Sequence, residues 1–221
     1  MTTLYLGNLN YSSWSIRAVL VARGSGLELD ECVLPLGPQQ TYDVLLKETT
    51  QHRVPAMVTG DVVIHDSLAI TEWIAEQVPA GKVWPVDPVK RARARSLCSE
   101  MHASFIDIRS DMGVDIRSRL ATPDMSAGLK WDIQRVLEIW TQTRAQYGED
   151  GPFLFGDWSA ADAFFMPVAT RFQTYGVALD GVAENYSNAV LSFPLSKQLI
   201  AEAKAEPWSL DPTQFRPKSA G

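Results

Sequence analysis

Cysteine and histidine are scarce in this chain of 221 residues. There are two of the first, Cys32 and Cys98, and three of the second, His52, His65 and His102. With no C-x-x-C pair and no clustering of these types, neither a dithiol redox centre nor a metal site is expected. Each cysteine lies in an apolar-periodic segment and reads as a small buried hydrophobe. Basic charge is also in deficit: 20 Lys and Arg stand against 26 Asp and Glu, a net charge of −6. Phosphate backbones need a basic surface, so nucleic acid is not the expected partner. No apolar run approaches the ~20 residues of a membrane span. The start, Met1-Thr2-Thr3-Leu4-Tyr5-Leu6, lacks the charged n-region and long apolar core of a signal peptide. A cytoplasmic protein with no membrane partner is the expectation.

What is present is a packed globular composition, 46% apolar and 21% charged, so disorder is expected only at the ends. The first eighty residues alternate strand and helix signals. Thr3–Leu6 reads as a short strand and Ser15–Arg23 as a helix stopped by Gly24. Leu29–Leu36 reads as a strand and Thr41–Thr50 as a short helix. Pro55–Thr59 and Val62–Ile64 flank Gly60-Asp61 as a hairpin, and Ser67–Val78 is a helix. The order βαβαββα predicts one small mixed sheet with helices on its faces. Prolines 79, 85 and 88 with Gly81 then interrupt both periodicities, as a linker does. The remainder reads as helix: Val89 to about Gly113, Leu129–Tyr147, a helix opened by Ser159-Ala160-Ala161-Asp162 and bent by Pro167, then Asn185–Ser192 and Leu195–Ala205. Residues 1–80 are therefore expected to form an α/β domain, 81–88 a linker and 89–221 an all-helical domain. From Glu206 onward the tail reads as irregular or extended.

Three segments carry candidate chemistry. In Asn10-Tyr11-Ser12-Ser13-Trp14-Ser15-Ile16-Arg17, hydroxyls precede a helix. They can cap it, or they can join its free amides and dipole in stabilising a thiolate. An ordinary thiol, with pKa about 8.5, is only a few per cent ionised at neutral pH, so a gain of ~1.4 kcal/mol multiplies the anion about tenfold. Arg53-Val54-Pro55 leads into a strand, where a cis proline would turn the Val54 backbone outward toward an extended peptide. Asp66-Ser67 opens a helix. The pair either caps it or receives an ammonium on the carboxylate and a carboxylate on the helix N-terminus.

In their order and spacing these segments resemble the N-terminal domain of cytosolic glutathione transferases, and Ser159-x-x-Asp162 behind Gly156-Asp157-Trp158 resembles that family's C-terminal signature. The resemblance implies a thioredoxin-like N-terminal domain and an all-α C-terminal domain. It further implies a glutathione thiolate joined to a small hydrophobic electrophile, with glutathione as co-substrate and no metal, in a detoxifying homodimer. Ser12-Ser13-Trp14-Ser15 is most similar to the Ser-Ser-Cys-Ser loop of zeta-type members, which include maleylacetoacetate isomerases, with Trp14 where those carry cysteine. A glutathione-dependent cis–trans isomerase and a non-catalytic glutathione-binding module are the alternatives. By the same resemblance Ser12, then Ser13, would stabilise the thiolate. Trp14, Arg53, Val54, Pro55, Asp66 and Ser67 would line the glutathione site. Met101, His102, Phe105 and Arg109, on the helix after the linker, would wall the electrophile pocket, although Met101 and Phe105 read more readily as a core stripe and His102 and Arg109 are the better wall.

Overall fold

A computed structural model describes residues 2–210. The elements run β1 (Thr2–Gly7), α1 (Ser13–Ser25), β2 (Asp30–Leu34), α2 (Gln39–Thr49), β3 (Ala56–Thr59), β4 (Val62–His65) and α3 (Ser67–Gln77). Helices follow: α4 (Pro88–Ala103), α5 (Ile106–Asp111), α6 (Ala127–Tyr147), α7 (Ala160–Thr174), α8 (Gly181–Ser192) and α9 (Pro194–Ala205). The expected βαβαββα order is present. Residues 206–210 form no regular element, and the end of the predicted tail, Lys218-Ser219-Ala220-Gly221, lies outside the described residues.

The sheet order is β2-β1-β3-β4. β1 runs parallel to β2 with Tyr5 opposite Cys32, and antiparallel to β3 with Tyr5 opposite Ala56. The β3–β4 hairpin pairs Thr59 with Val62 across a two-residue turn, in which Gly60 takes φ of 56°. A glycine adopts that conformation without the steric cost a side chain incurs. Cys32 is only half-buried on β2, whereas Cys98 is buried as expected.

α1 is apolar nearly all round: Ile16, Ala18, Val19, Leu20 and Val21 are wholly buried. A helix of that kind must be covered on more than one side. α1 packs against both α3 and α7. α7 is buried along most of its length and begins with a capping box in which Ser159 N donates to Asp162 Oδ2 at 2.9 Å. Leu154 N and the Tyr186 hydroxyl donate to Asp162 Oδ1, both at 3.1 Å. Burial still pushes the Asp162 carboxyl up to about 6, because these bonds only partly offset the desolvation of its charge.

One expected element is corrected. The helix predicted from Val89 to about Gly113 is two helices, broken at Ser104-Phe105, with Phe105 at φ 64°. The break comes from tertiary partners. Asp132 on α6 accepts from Asp107 N and Ile108 N at 3.0 and 3.1 Å, capping α5 from outside. The Arg109 guanidinium turns back on the last carbonyls of α4, donating to Ser104 O at 3.0 Å and to Met101 O. Two helix ends are satisfied that a continuous helix would not have.

Candidate active site

The loop from β1 to α1 is tied before it reaches the serines. Tyr11 N and Ser12 N both donate to Asn8 O, at 3.1 and 2.8 Å, and Asn8 Oδ1 accepts from Leu36 N at 2.7 Å. Asn10 reaches the helical half, donating to Asp115 Oδ1 at 2.8 Å and accepting from Arg117 N at 2.9 Å. Ser12 then caps α1. Its Oγ accepts from Ser15 N at 3.2 Å and bonds Ser15 Oγ at 2.9 Å; Ser15 Oγ in turn accepts from Gly7 N at 2.9 Å. The first-turn amides of α1 have no partner four residues back, so the dipole's positive end faces the same place as the Ser12 and Ser13 hydroxyls. Ser13 Oγ accepts from Arg171 Nη2 at 3.4 Å.

Around Trp14 the structure gathers three cationic or titratable groups, and a fourth, Arg171, meets the neighbouring Ser13. The Arg17 guanidinium carbon lies 4.6 Å and that of Arg109 4.8 Å from the indole centroid. The His102 ring meets the indole edge-on, with centroids 5.0 Å apart. Arg171, on α7, donates to Met112 O at 2.8 Å. Arg17 is 0% exposed, and among the described residues its Nε, Nη1 and Nη2 have no hydrogen-bond partner; Arg171 Nη1 and His102 Nδ1 are likewise unpaired there. Burial, then repulsion from Arg109 and Arg171, holds the Arg17 pKa well below its ordinary value. Burial, then Arg109, brings Arg171 down to about 9, still protonated at neutral pH. Burial and the cations Arg17 and Arg109 also lower His102 against the pull of Asp66, so His102 is neutral near pH 7.

Asp66 and Ser67 sit at the start of α3. Asp66, at φ 79°, caps the helix through Oδ1, which accepts from Leu68 N at 2.8 Å. Its other oxygen lies 3.2 Å from His102 Nε2. The carboxylate is open to solvent, while the Ser67 hydroxyl is buried without a partner among the described residues. Val54-Pro55 is a cis peptide at the mouth of β3, and Arg53 is exposed beside it.

Of the four residues expected to wall an electrophile pocket, only His102 and Arg109 pack on Trp14. Met101 and Phe105, 0% and 2% exposed, belong to the core instead. His102 and Arg109 lie on separate helices and not on the single helix expected after the linker, and both meet the indole. The sequence reading did not single out Arg17 or Arg171. A charged residue inside a segment otherwise apolar on every face was the signal available for both.

Residues 11–77 match the family model described as glutathione S-transferase, N-terminal domain. The chain is 23% identical to a stringent starvation protein A homolog of Pasteurella multocida over 86% of this chain and 84% of that one. It is 31% identical to a maleylacetoacetate isomerase of Rattus norvegicus over 46% of this chain and 47% of the other. Among solved structures, the holo form of maleyl pyruvate isomerase, a bacterial zeta-class glutathione S-transferase, has a TM-score of 0.70 at 23% identity. That match covers 94% of this chain and 100% of the other. Residues 11–77 thus match the N-terminal domain of the glutathione S-transferase family, and the described residues share the fold of a solved zeta-class member.

Proposed function

We propose that the protein activates the glutathione thiol at the N-terminus of α1 and adds it to a small electrophile that carries a carboxylate. The observation that supports this is Arg17, a wholly buried guanidinium with three nitrogens unpaired among the described residues, which shares Trp14 with Arg109, while Arg171 meets Ser13 next to it. A buried charge without a partner costs several kcal/mol, and a nearby anion offsets that cost. The thiolate is one such anion and a substrate carboxylate is the second. Lowering a thiol pKa by one unit from about 8.5 raises its ionised fraction at pH 7 from a few per cent to about a quarter.

In this reading the Ser12 hydroxyl turns from Ser15 Oγ to the sulfur, and Ser15 Oγ keeps its bond from Gly7 N. Asp66 receives the γ-glutamyl ammonium, Ser67 and the α3 amides its carboxylate, and the Val54 backbone the cysteinyl residue. With an aryl halide, the C–S bond forms as the carbon–halogen bond breaks and halide leaves; the thiol proton passes to solvent. With an unsaturated diacid, the thiolate adds to the alkene, the resulting single bond rotates, and the sulfur leaves again. The arginine cluster favours this isomerisation as the second reading, since it suits an acid with more than one carboxylate. The family's binding of glutathione and the maleyl isomerases among the relatives support both readings.

The test is turnover by the purified chain of 1-chloro-2,4-dinitrobenzene and of a maleyl acid, each with glutathione. Conjugation of the halide supports transfer, and isomerisation of the acid without net loss of glutathione supports the second reading. Calorimetric binding of glutathione with neither turnover would make the protein a binding module. A cytoplasmic homodimer is part of the proposal, and a monomer mass by light scattering at micromolar concentration would remove it.

A further inference from the structure

The segment after α9 does not leave the molecule. The Glu206 carboxylate lies on the β1–α1 loop, where Oε1 accepts from Leu9 N at 2.6 Å and Oε2 from Asn10 N at 3.2 Å. These are consecutive amides, two to three residues ahead of Ser12. Arg117 holds the segment from the other side, donating to Glu206 O at 2.9 Å and to Trp208 O at 2.6 Å. The same guanidinium donates to the Tyr11 hydroxyl at 3.1 Å and lies 5.5 Å from the centre of that ring. Arg117 is fixed in turn, because its own amide donates to Asn10 Oδ1. Trp208, Ser209 and Leu210 continue across to Pro35–Pro38 and enclose a cavity of about 380 Å³ with them. Leu36, in that second loop, is the residue whose amide binds Asn8. One short stretch of chain therefore spans both loops beside the serines.

We infer that residues 206–210 position the loop that presents Ser12, with Glu206 as the positioning residue and Arg117 as its anchor. The loop carries no regular hydrogen-bond ladder of its own. A carboxylate accepting two adjacent amides orients both peptide planes, and a charge-assisted bond is about twice as strong as a neutral one. Trimming that carboxylate frees Leu9 and Asn10 to rotate, and the turn at Asn8 that sets Ser12 N loosens with them. The consequence for turnover rests on the function proposed above; the consequence for the amides does not.

The experiment is amide hydrogen exchange by NMR on the full chain, beside steady-state kinetics with glutathione and 1-chloro-2,4-dinitrobenzene. Glu206→Ala is expected to speed exchange at Leu9 and Asn10 by about ten- to a hundredfold, the loss of one or two bonds to a charged group. Leu4 and Leu6 in β1 should keep their rates. Glu206→Gln, with one acceptor oxygen left, should fall between. Arg117→Lys, a point charge without a planar fork, should not restore the wild-type rates that Arg117→Ala loses. In turnover, Glu206→Ala should lower kcat about tenfold and leave KM for glutathione within a factor of two. Unchanged exchange at both amides in Glu206→Ala would overturn the inference. So would a raised KM with kcat intact, since the tail would then be a wall of the glutathione cleft. Fast exchange in the variant, in a protein whose wild type turns over neither substrate, upholds the positioning role and refutes the enzymatic reading alone.

Discussion

Replacing Ser12 probes two roles of one hydroxyl, and three substitutions separate them. Ser12→Ala removes the N-cap of α1 and the proposed donor to the thiolate together. Loss of a Ser cap to Ala costs about 1 kcal/mol, whereas Gly in its place costs only a few tenths. For a chain of this size 1 kcal/mol is a fall in Tm of about 2–4 °C. The donor role is larger, because a hydrogen bond to a charged group contributes about 1.5–3 kcal/mol. That corresponds to a loss of about ten- to a hundredfold in rate. Ser12→Ala should therefore lower both Tm and kcat/KM. Ser12→Gly should restore most of the Tm and none of the rate, and Ser12→Thr should keep both. The assay is aryl-halide turnover from pH 6 to 9, with thermal denaturation monitored by circular dichroism. The rise of kcat/KM with pH should move upward by about one unit or more in the Ala and Gly variants. If Ser12→Gly recovers rate with stability, the hydroxyl is a cap and nothing else. If Ser13→Ala takes the whole loss of rate instead, the donor is the hydroxyl that meets Arg171.

Arg17→Met should raise the urea midpoint while lowering turnover of an anionic electrophile at least tenfold, because an unpaired buried charge destabilises the fold and serves the site. A lowered midpoint would mean that stacking on Trp14 and Phe164 already compensates the guanidinium. The buried Asp162 makes stability depend on acid. Its folded pKa of about 6 exceeds the unfolded value of about 3.9, so its contribution is fully present below pH ~4 and lost as pH rises through 6. A shift of about two units is on the order of 3 kcal/mol. Urea midpoints should show wild type losing ground to Asp162→Asn between pH 4 and 6, and parallel curves above 7 check the sign.

The alternation of elements up to α3 was legible because each carries its own period and a stop, as Gly60-Asp61 does, although α1 runs past the expected Gly24 and ends at Gly26. The helix break at Phe105 was not. Neither Gly nor Pro marks it, and the groups that impose it, Asp132 and Arg109, act across space. The same limit applies to the site. Ser12, Asp66 and Ser67 stand at helix starts that sequence can locate. Nothing in the spacing from Arg17 to Arg109 to Arg171 says that α5 brings Arg109 to the indole beside Arg17, or that α7 brings Arg171 to Ser13. Met101 and Phe105 mislead for the opposite reason, since a periodic apolar face reads alike whether it lines a cleft or a core.

The packing of α1 against both α3 and α7 has a bearing on how such a chain diversifies. The hydroxyls, the dipole end and the Asp66-Ser67 pair all come from residues before 78. Arg109, Arg171 and Glu206 all come from the helices and the tail after 88. On the function proposed above, a recombination event at the proline-rich connection would part the thiol site and Arg17 from the Arg109, Arg171 and Glu206 that complete it. The two halves still cannot be exchanged freely, because the buried face of α1 must fit α7 and Arg171 must meet Ser13. Inheritance of a new substrate range would thus be gated by the fit of one helix pair.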